Sequence, residues 1–218
     1  MNHVSEAAVL RTRKPRGQGA SRRGEILEAA KRLFTEEGFA HATMRRIASV
    51  VGVSPTALYL HFSDKEAILQ ATAEEFFSEL LVELHRAQTG VETPLARLRA
   101  GMKAFVMFSL DRADEYRLTF QTKPKALPQP PHSGDVENVA DMSFAVLENA
   151  VAELLAAGYF RKGDPCVIAE TIFACLHGVT SAVMDLADRM QCGREALIDS
   201  VIDTTLRGLT CPNAGPTA

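Results

Sequence analysis

Tryptophan is absent from this 218-residue chain, tyrosine occurs three times, and aromatic residues reach only 6%. That scarcity disfavours strands, which draw on aromatic and β-branched side chains, while abundant alanine and leucine favour helix. The four cysteines, Cys166, Cys175, Cys192 and Cys211, contain no CxxC pair, which argues against zinc or a thioredoxin-like centre. Cys166 and Cys175 fall about half a turn out of phase on one helix and cannot bridge within it. They read as reduced packing residues, with a redox switch as the alternative. Glycine-rich phosphate loops, nucleophile elbows and metal-ligand clusters are also missing. No apolar run is expected to reach the roughly 18 residues of a membrane span, and no signal-peptide core follows the basic N-terminus. The chain is expected to be soluble and intracellular, with no membrane partner, cofactor or metal.

What is present is enough apolar material for a sizeable core, 46% of residues. The formal net charge of −3 hides an asymmetry. Residues 1–70 carry 11 Lys+Arg against 7 Asp+Glu, and the remainder 13 against 20. A basic head on an acidic body implies that the head is the part that meets a polyanion. Residues 1–20 read as a flexible basic arm with Arg11, Arg13, Lys14 and Arg16, either solvated or tracking phosphate.

From Ser21 the apolar period is helical. Ile26, Leu27, Ala30, Leu33 and Phe34 form one stripe, and Gly38 closes the helix. Thr43 caps a second helix that turns Met44, Ile47, Ala48 and Val51 inward, and Gly52 ends it. Ser54 caps a third, with Pro55 at its first position and Val53 and Leu58 as a hydrophobic staple. Ser63 and Glu66 read as a capping box for a long helix through Phe76, Phe77, Leu80, Leu81 and Leu84. Thr93-Pro94 opens another, "DEYRLTF" a short one, and the proline-rich stretch 123–134 is a loop. Further helices are expected over about 135–157, from Asp164-Pro165 to about Met190, and over 194–209. No strand and no repeat is expected. The fold class is all-α.

Two short capped helices joined at "VVGVS" have the layout of a helix-turn-helix, whose second helix enters the major groove. Steps of 100° place Pro55, Thr56, Tyr59 and Leu60 in one arc, with Ala57, Leu58 and His61 opposite. Leu58 is the core anchor, leaving the first arc outward. A threonine hydroxyl and methyl suit base edges, and tyrosine reaches sugar or phosphate. Thr43 and Arg45 open the preceding helix, and Lys65 stands at the start of the next, where a helix N-terminus attracts phosphate. A plain αα-hairpin with an exposed tyrosine is the competing reading.

Residues 23–69, "RGEILEAAKRLFTEEGFAHATMRRIASVVGVSPTALYLHFSDKEAIL", resemble the N-terminal domain of the TetR family of bacterial transcription regulators. The resemblance lies in "LFTEEGF", "TMRRIA", "GVS", "LYLHF" and "KEAIL", in order and at family spacing. It implies base contacts from Pro55, Thr56 and Tyr59, with Thr43, Arg45, Ala57, Leu60, His61 and Lys65 against phosphate or sugar. "EYRLTF" (115–120) and "FACLHGVTSAVM" (173–184) resemble a C-terminal domain of that family whose Trp-His-Gly signature is here Leu-His-Gly. The implied organisation is an arm (1–20), a helix-turn-helix domain (21–68), a helical ligand-binding and dimerisation domain (69–211) and a tail (212–218). The implied partners are an operator in double-stranded DNA, a second copy through the last two long helices, and a small-molecule effector. By the same resemblance the protein is bacterial and cytoplasmic, and most often such a regulator is a repressor.

Polar residues set among apolar neighbours are the effector-site candidates: His85, Tyr116, Arg117, Gln121 and His177. Met102, Phe105, Phe144 and Phe173 line a pocket or fill the core. An enzyme using Cys175 with His177 is disfavoured, because the two side chains diverge by about 200° on a helix. A helical scaffold that binds protein alone is the third class.

Overall fold

A computed structural model describes residues 19–122 and 139–211. Most of the arm expected over 1–20, the loop at 123–134, the helix start at 135–138 and the tail from 212 lie outside the described residues. Nine α-helices are described: α1 (Gly19–Glu36), α2 (Met44–Val51), α3 (Pro55–Tyr59), α4 (Lys65–Gln88), α5 (Pro94–Asp111), α6 (Ala113–Phe120), α7 (Val139–Ala156), α8 (Pro165–Leu186) and α9 (Arg194–Leu209). One isolated bridge joins Phe160 to Thr210, and there is no strand among the described residues.

The helix punctuation follows local chemistry. Thr43 Oγ1 accepts from the Arg46 N–H at 3.2 Å, and Ser54 Oγ from the Ala57 N–H at 3.1 Å. Thr93 caps α5 and Asp164 caps α8, each followed by proline, whose missing N–H would have had no partner there. Gly52 turns the chain at φ +76°, where its lack of a Cβ removes the penalty, and the Val53 N–H then reaches back to the Ala48 carbonyl. At α4 the expected capping box is not what forms. Asp64 is the cap, its Oδ1 accepting from Ala67 N–H at 2.7 Å, while Ser63 donates to the same carboxylate. An ionised acceptor outcompetes the neighbouring hydroxyl for the orphan amide.

Two apolar cores result. The first joins α1 through Ile26, Ala30 and Phe34 to Ile47, Leu58, Phe62 and Ile68. The second gathers Phe76 and Leu80 of α4 with Met102, Val106, Tyr116, Leu154, Ile172, Leu176, Ile198 and Ile202. Within the body α4 packs on α5, α6 and α7, and α8 packs on α5, α7 and α9. Two helices belong to both cores. α4 enters the first with Ile68 and Leu69 and the second with Phe76 and Leu80. α6 sends Leu118 into the first and Tyr116 into the second.

The expectation about apolar runs needs correcting. A window within Pro165–Arg189 has mean hydropathy 1.6, long and apolar enough to cross a membrane by length and composition, and only 33% of it is buried. Scattered Thr, Glu, His and Ser residues interrupt the run, yet its average stays this high. Ala169, Ile172, Leu176, Val179 and Val183 turn one side of α8 into the core, while Val167 and Leu186 are uncovered.

Leu58 is fully buried and its neighbour Leu60 is 83% exposed. Leu58→Ala is therefore predicted to cost about 2–5 kcal/mol in urea unfolding. Leu60→Ala should change stability by less than about 0.5 kcal/mol. Similar losses for the two would contradict the orientation of α3.

Candidate nucleic-acid interface and effector region

The α2–α3 pair holds its outer surface by burying very little. Leu58 fills the gap between α1 and α2, so the residues before and after it are turned out. Pro55 and Thr56 are exposed, Tyr59 is 54% exposed and Leu60 more so. Ala57 and His61 are half-buried at the flank, and His61 closes the helix by donating its N–H to the Leu58 carbonyl at 2.9 Å. Thr43 and Arg45 are exposed at the start of α2. Arg46 beside it is held by Glu37 at 3.0 Å, whereas Arg45 makes no ion pair among the described residues. An unpaired cation next to an outward face suits phosphate, because no internal partner must be displaced.

Lys65 was expected against phosphate and has another task. Its ammonium donates to the carbonyls of Phe39, Ala40 and Ala42 at 2.8, 3.3 and 3.3 Å, and lies 4.5 Å from the Phe39 ring centre. Three donors on three acceptors leave none over. Lys65 thereby fastens the α1–α2 turn to the start of α4. The expected phosphate affinity of the α4 N-terminus is also opposed, since the Asp64 carboxylate already occupies it. A cation that the sequence reading overlooked is Arg23. Its guanidinium lies 4.7 Å over the Phe62 ring, which puts an exposed positive charge of α1 beside the end of α3. Helical periodicity marks Arg23 as solvent-facing and says nothing of what it faces.

In the body, Tyr116, His177, Phe173, Phe105 and Phe144 come together. Phe173 stacks on His177 at 5.8 Å, with Phe105 at 5.9 Å and Phe144 at 6.4 Å from Phe173. Phe120, which the sequence reading did not select, stands 4.8 Å from Tyr116 and 5.5 Å from His177. Met102 is buried within the same core. Gln121 does not join them. It is exposed as the C-terminal cap of α6, and its N–H binds the Arg117 carbonyl. His85 is exposed near the far end of α4. Arg117 turns to the edge, paired with Asp185 at 3.2 Å.

Tyr116 and His177 form a defined pair, the phenol hydroxyl 2.5 Å from Nδ1. Burial pushes the tyrosine up to about 12, so it keeps its proton. Burial also holds His177 below its ordinary range, which favours the neutral imidazole. The pairing ties α6 to α8. Cys175 and His177 stand two positions apart on α8, which turns their side chains about 200° from one another.

The sequence comparisons agree with this geometry. The family model for "Bacterial regulatory proteins, tetR family" matches residues 26–72, and that for "Tetracyclin repressor-like, C-terminal domain" matches residues 98–205. The transcriptional activator FasR of Mycolicibacterium smegmatis is 34% identical over 108 residues, 50% of this chain and 49% of the relative. The chain thus spans about half the length of that protein. The transcriptional repressor KstR2 of Mycobacterium tuberculosis is 27% identical over 145 residues, 66% of this chain and 72% of the relative. Among solved structures, SmeT in complex with triclosan has a TM-score of 0.65, with 26% identity over 91% of this chain and 96% of that one. A helix-turn-helix head matched by one family model, and a helical body matched by the model of the same family's C-terminal domain, place this chain in the TetR family of bacterial transcriptional regulators.

Proposed function

We propose that the protein binds a palindromic operator in duplex DNA as a homodimer, and that a small molecule held in the helical body releases it, so that it acts as a repressor. The observation that carries this is the outward face of α3. Tyr59 and Leu60 are large, apolar and uncovered beside Pro55 and Thr56, on a helix whose one buried side chain is Leu58. Packing gains nothing from that face, whereas a major groove offers it sugar, methyl and base-edge contacts. In this reading Pro55, Thr56 and Tyr59 touch bases. Thr43, Arg45, Ala57, Leu60, His61 and the newly recognised Arg23 lie along the backbone. Lys65 acts by fixing the turn that aims α2.

Dimerisation is read from α8 and α9. Val167, Thr171, Ala174 and Gly178 of α8 and Ala196, Ser200, Thr204 and Gly208 of α9 are uncovered in one chain. Small and apolar faces on two adjacent helices suit a four-helix bundle with a second copy. That same pairing accounts for the high hydropathy and low burial of α8 without a membrane.

Release follows from the shared helices. Tyr116 is bonded to His177 in the body, and two residues later Leu118 is packed in the core of the head. A ligand that binds better when this contact is rearranged shifts α6, and with it the seat of the head. By linkage it lowers operator affinity by the same factor that DNA lowers its own. The solved complex of SmeT, a structural neighbour, with triclosan supports a body that accepts a small apolar molecule. The relatives are named as regulators, which supports a role without catalysis.

Two outcomes are expected. Tyr59→Ala should weaken operator binding by about tenfold or more, in the range of a lost base contact, with melting temperature and dimer content unchanged. Undiminished binding would refute the assigned face. Gly178→Arg should leave the helical spectrum intact, since nothing lies within 4 Å of a Cβ added there. In sedimentation velocity it should convert the dimer to monomer, and a persistent dimer would place the interface elsewhere.

A further inference from the structure

A recess of about 440 Å³ opens where the end of α5, the start of α6, the end of α8 and the start of α9 meet. It is separate from the Tyr116–His177 cluster, whose side chains do not line it. Leu110, Val183, Met184 and Met190 give it apolar walls, and the charged residues that line it are Arg117 and Arg194. Arg117 is paired with Asp185 at 3.2 Å and Asp114 at 3.8 Å, neither of which lines the recess. Arg194, the first residue of α9, makes no ion pair among the described residues.

That combination selects a ligand type. Unbranched methionines adapt to an irregular apolar body. The Arg194 guanidinium, without an internal partner, favours a planar or tetrahedral anion that it can grip through two N–H groups. The volume lies toward the lower end of the roughly 300–1,000 Å³ of small-molecule sites. We propose that this recess binds an anionic amphiphile, a carboxylate or phosphate head on a slender apolar stem, with the head on Arg194 and Arg117 and the stem on Leu110, Met184 and Met190. Because Arg117 belongs to α6, whose Leu118 is seated in the head, an occupant that draws Arg117 from Asp185 acts on the same helix as the proposed release. That last consequence rests on the regulator reading; the binding itself does not.

The recess carries its own reporter. Cys192 lines it and is exposed, while Cys166, Cys175 and Cys211 are half-buried elsewhere. The full-length protein would be alkylated with iodoacetamide in the presence of octanoate, octyl phosphate or octanol, and each cysteine followed by peptide mass spectrometry. Octanoate or octyl phosphate should slow modification of Cys192 severalfold and leave Cys166 unaffected, and whichever is stronger names the head group. Octanol at equal concentration should not. Arg194→Gln should raise the half-protecting concentration about tenfold, the loss of one charge-assisted contact. Equal protection by octanol, or none by either anion, would overturn the proposal, as would an unchanged Arg194→Gln. Operator retention measured on the same preparations separates the two ideas. Protection of Cys192 in a protein that holds no DNA would sink the regulator reading alone, and DNA binding without protection would sink this one alone.

Discussion

Five residues of α-helix have no stability of their own in water, and α3 is five residues long. Its existence depends on one buried side chain. Leu58 is fully enclosed between α1 and α2, and the backbone on either side is fixed by short-range devices: the left-handed turn at Gly52, the Ser54 cap, and proline at the first helical position. Because so little is buried, most of the helix circumference remains free. The geometry that makes α3 dependent on its neighbours is also what leaves Pro55, Thr56, Tyr59 and Leu60 available to a partner.

The same economy governs how head and body communicate. Neither domain ends cleanly, since α4 runs through both cores and α6 contributes Leu118 to one and Tyr116 to the other. Lys31 of α1 adds a bridge to Glu75 of α4. A displacement of α6 within the body must be felt in the head, because close-packed cores do not absorb such shifts by compression. The Tyr116–His177 bond and the Arg117–Asp185 pair hold α6 against α8 from adjacent positions. They are the contacts through which either body site would act on the seat of α3.

How much of this was legible in the sequence depended on range. Caps at Thr43, Ser54, Thr93 and Asp164 could be read because the side chain binds an amide two or three residues away. The cap of α4 was misjudged by one position, where a carboxylate and a hydroxyl compete for one N–H and spacing does not say which wins. Lys65 looked like a phosphate ligand because its carbonyl partners belong to a turn some 25 residues earlier. Tyr116 and His177 were both selected, yet their bond spans 61 positions and needed the fold to bring it about. Gln121 and His85 are polar residues among apolar sequence neighbours, and that setting does not determine which face of a helix meets the interior. The recess at Arg194 draws on four helix termini and left no local signal.

In the proposed function, the exposed face of α3 reads DNA sequence in a two-fold arrangement. Selection of random duplexes by the purified protein, repeated across a salt series, tests it most directly. The expected result is an enriched palindrome with half-sites about one helical turn or somewhat more apart, retained at salt concentrations that strip bulk DNA. Weak binding that enriches no sequence and falls steeply with salt would show that the basic head touches only phosphate, and would contradict it.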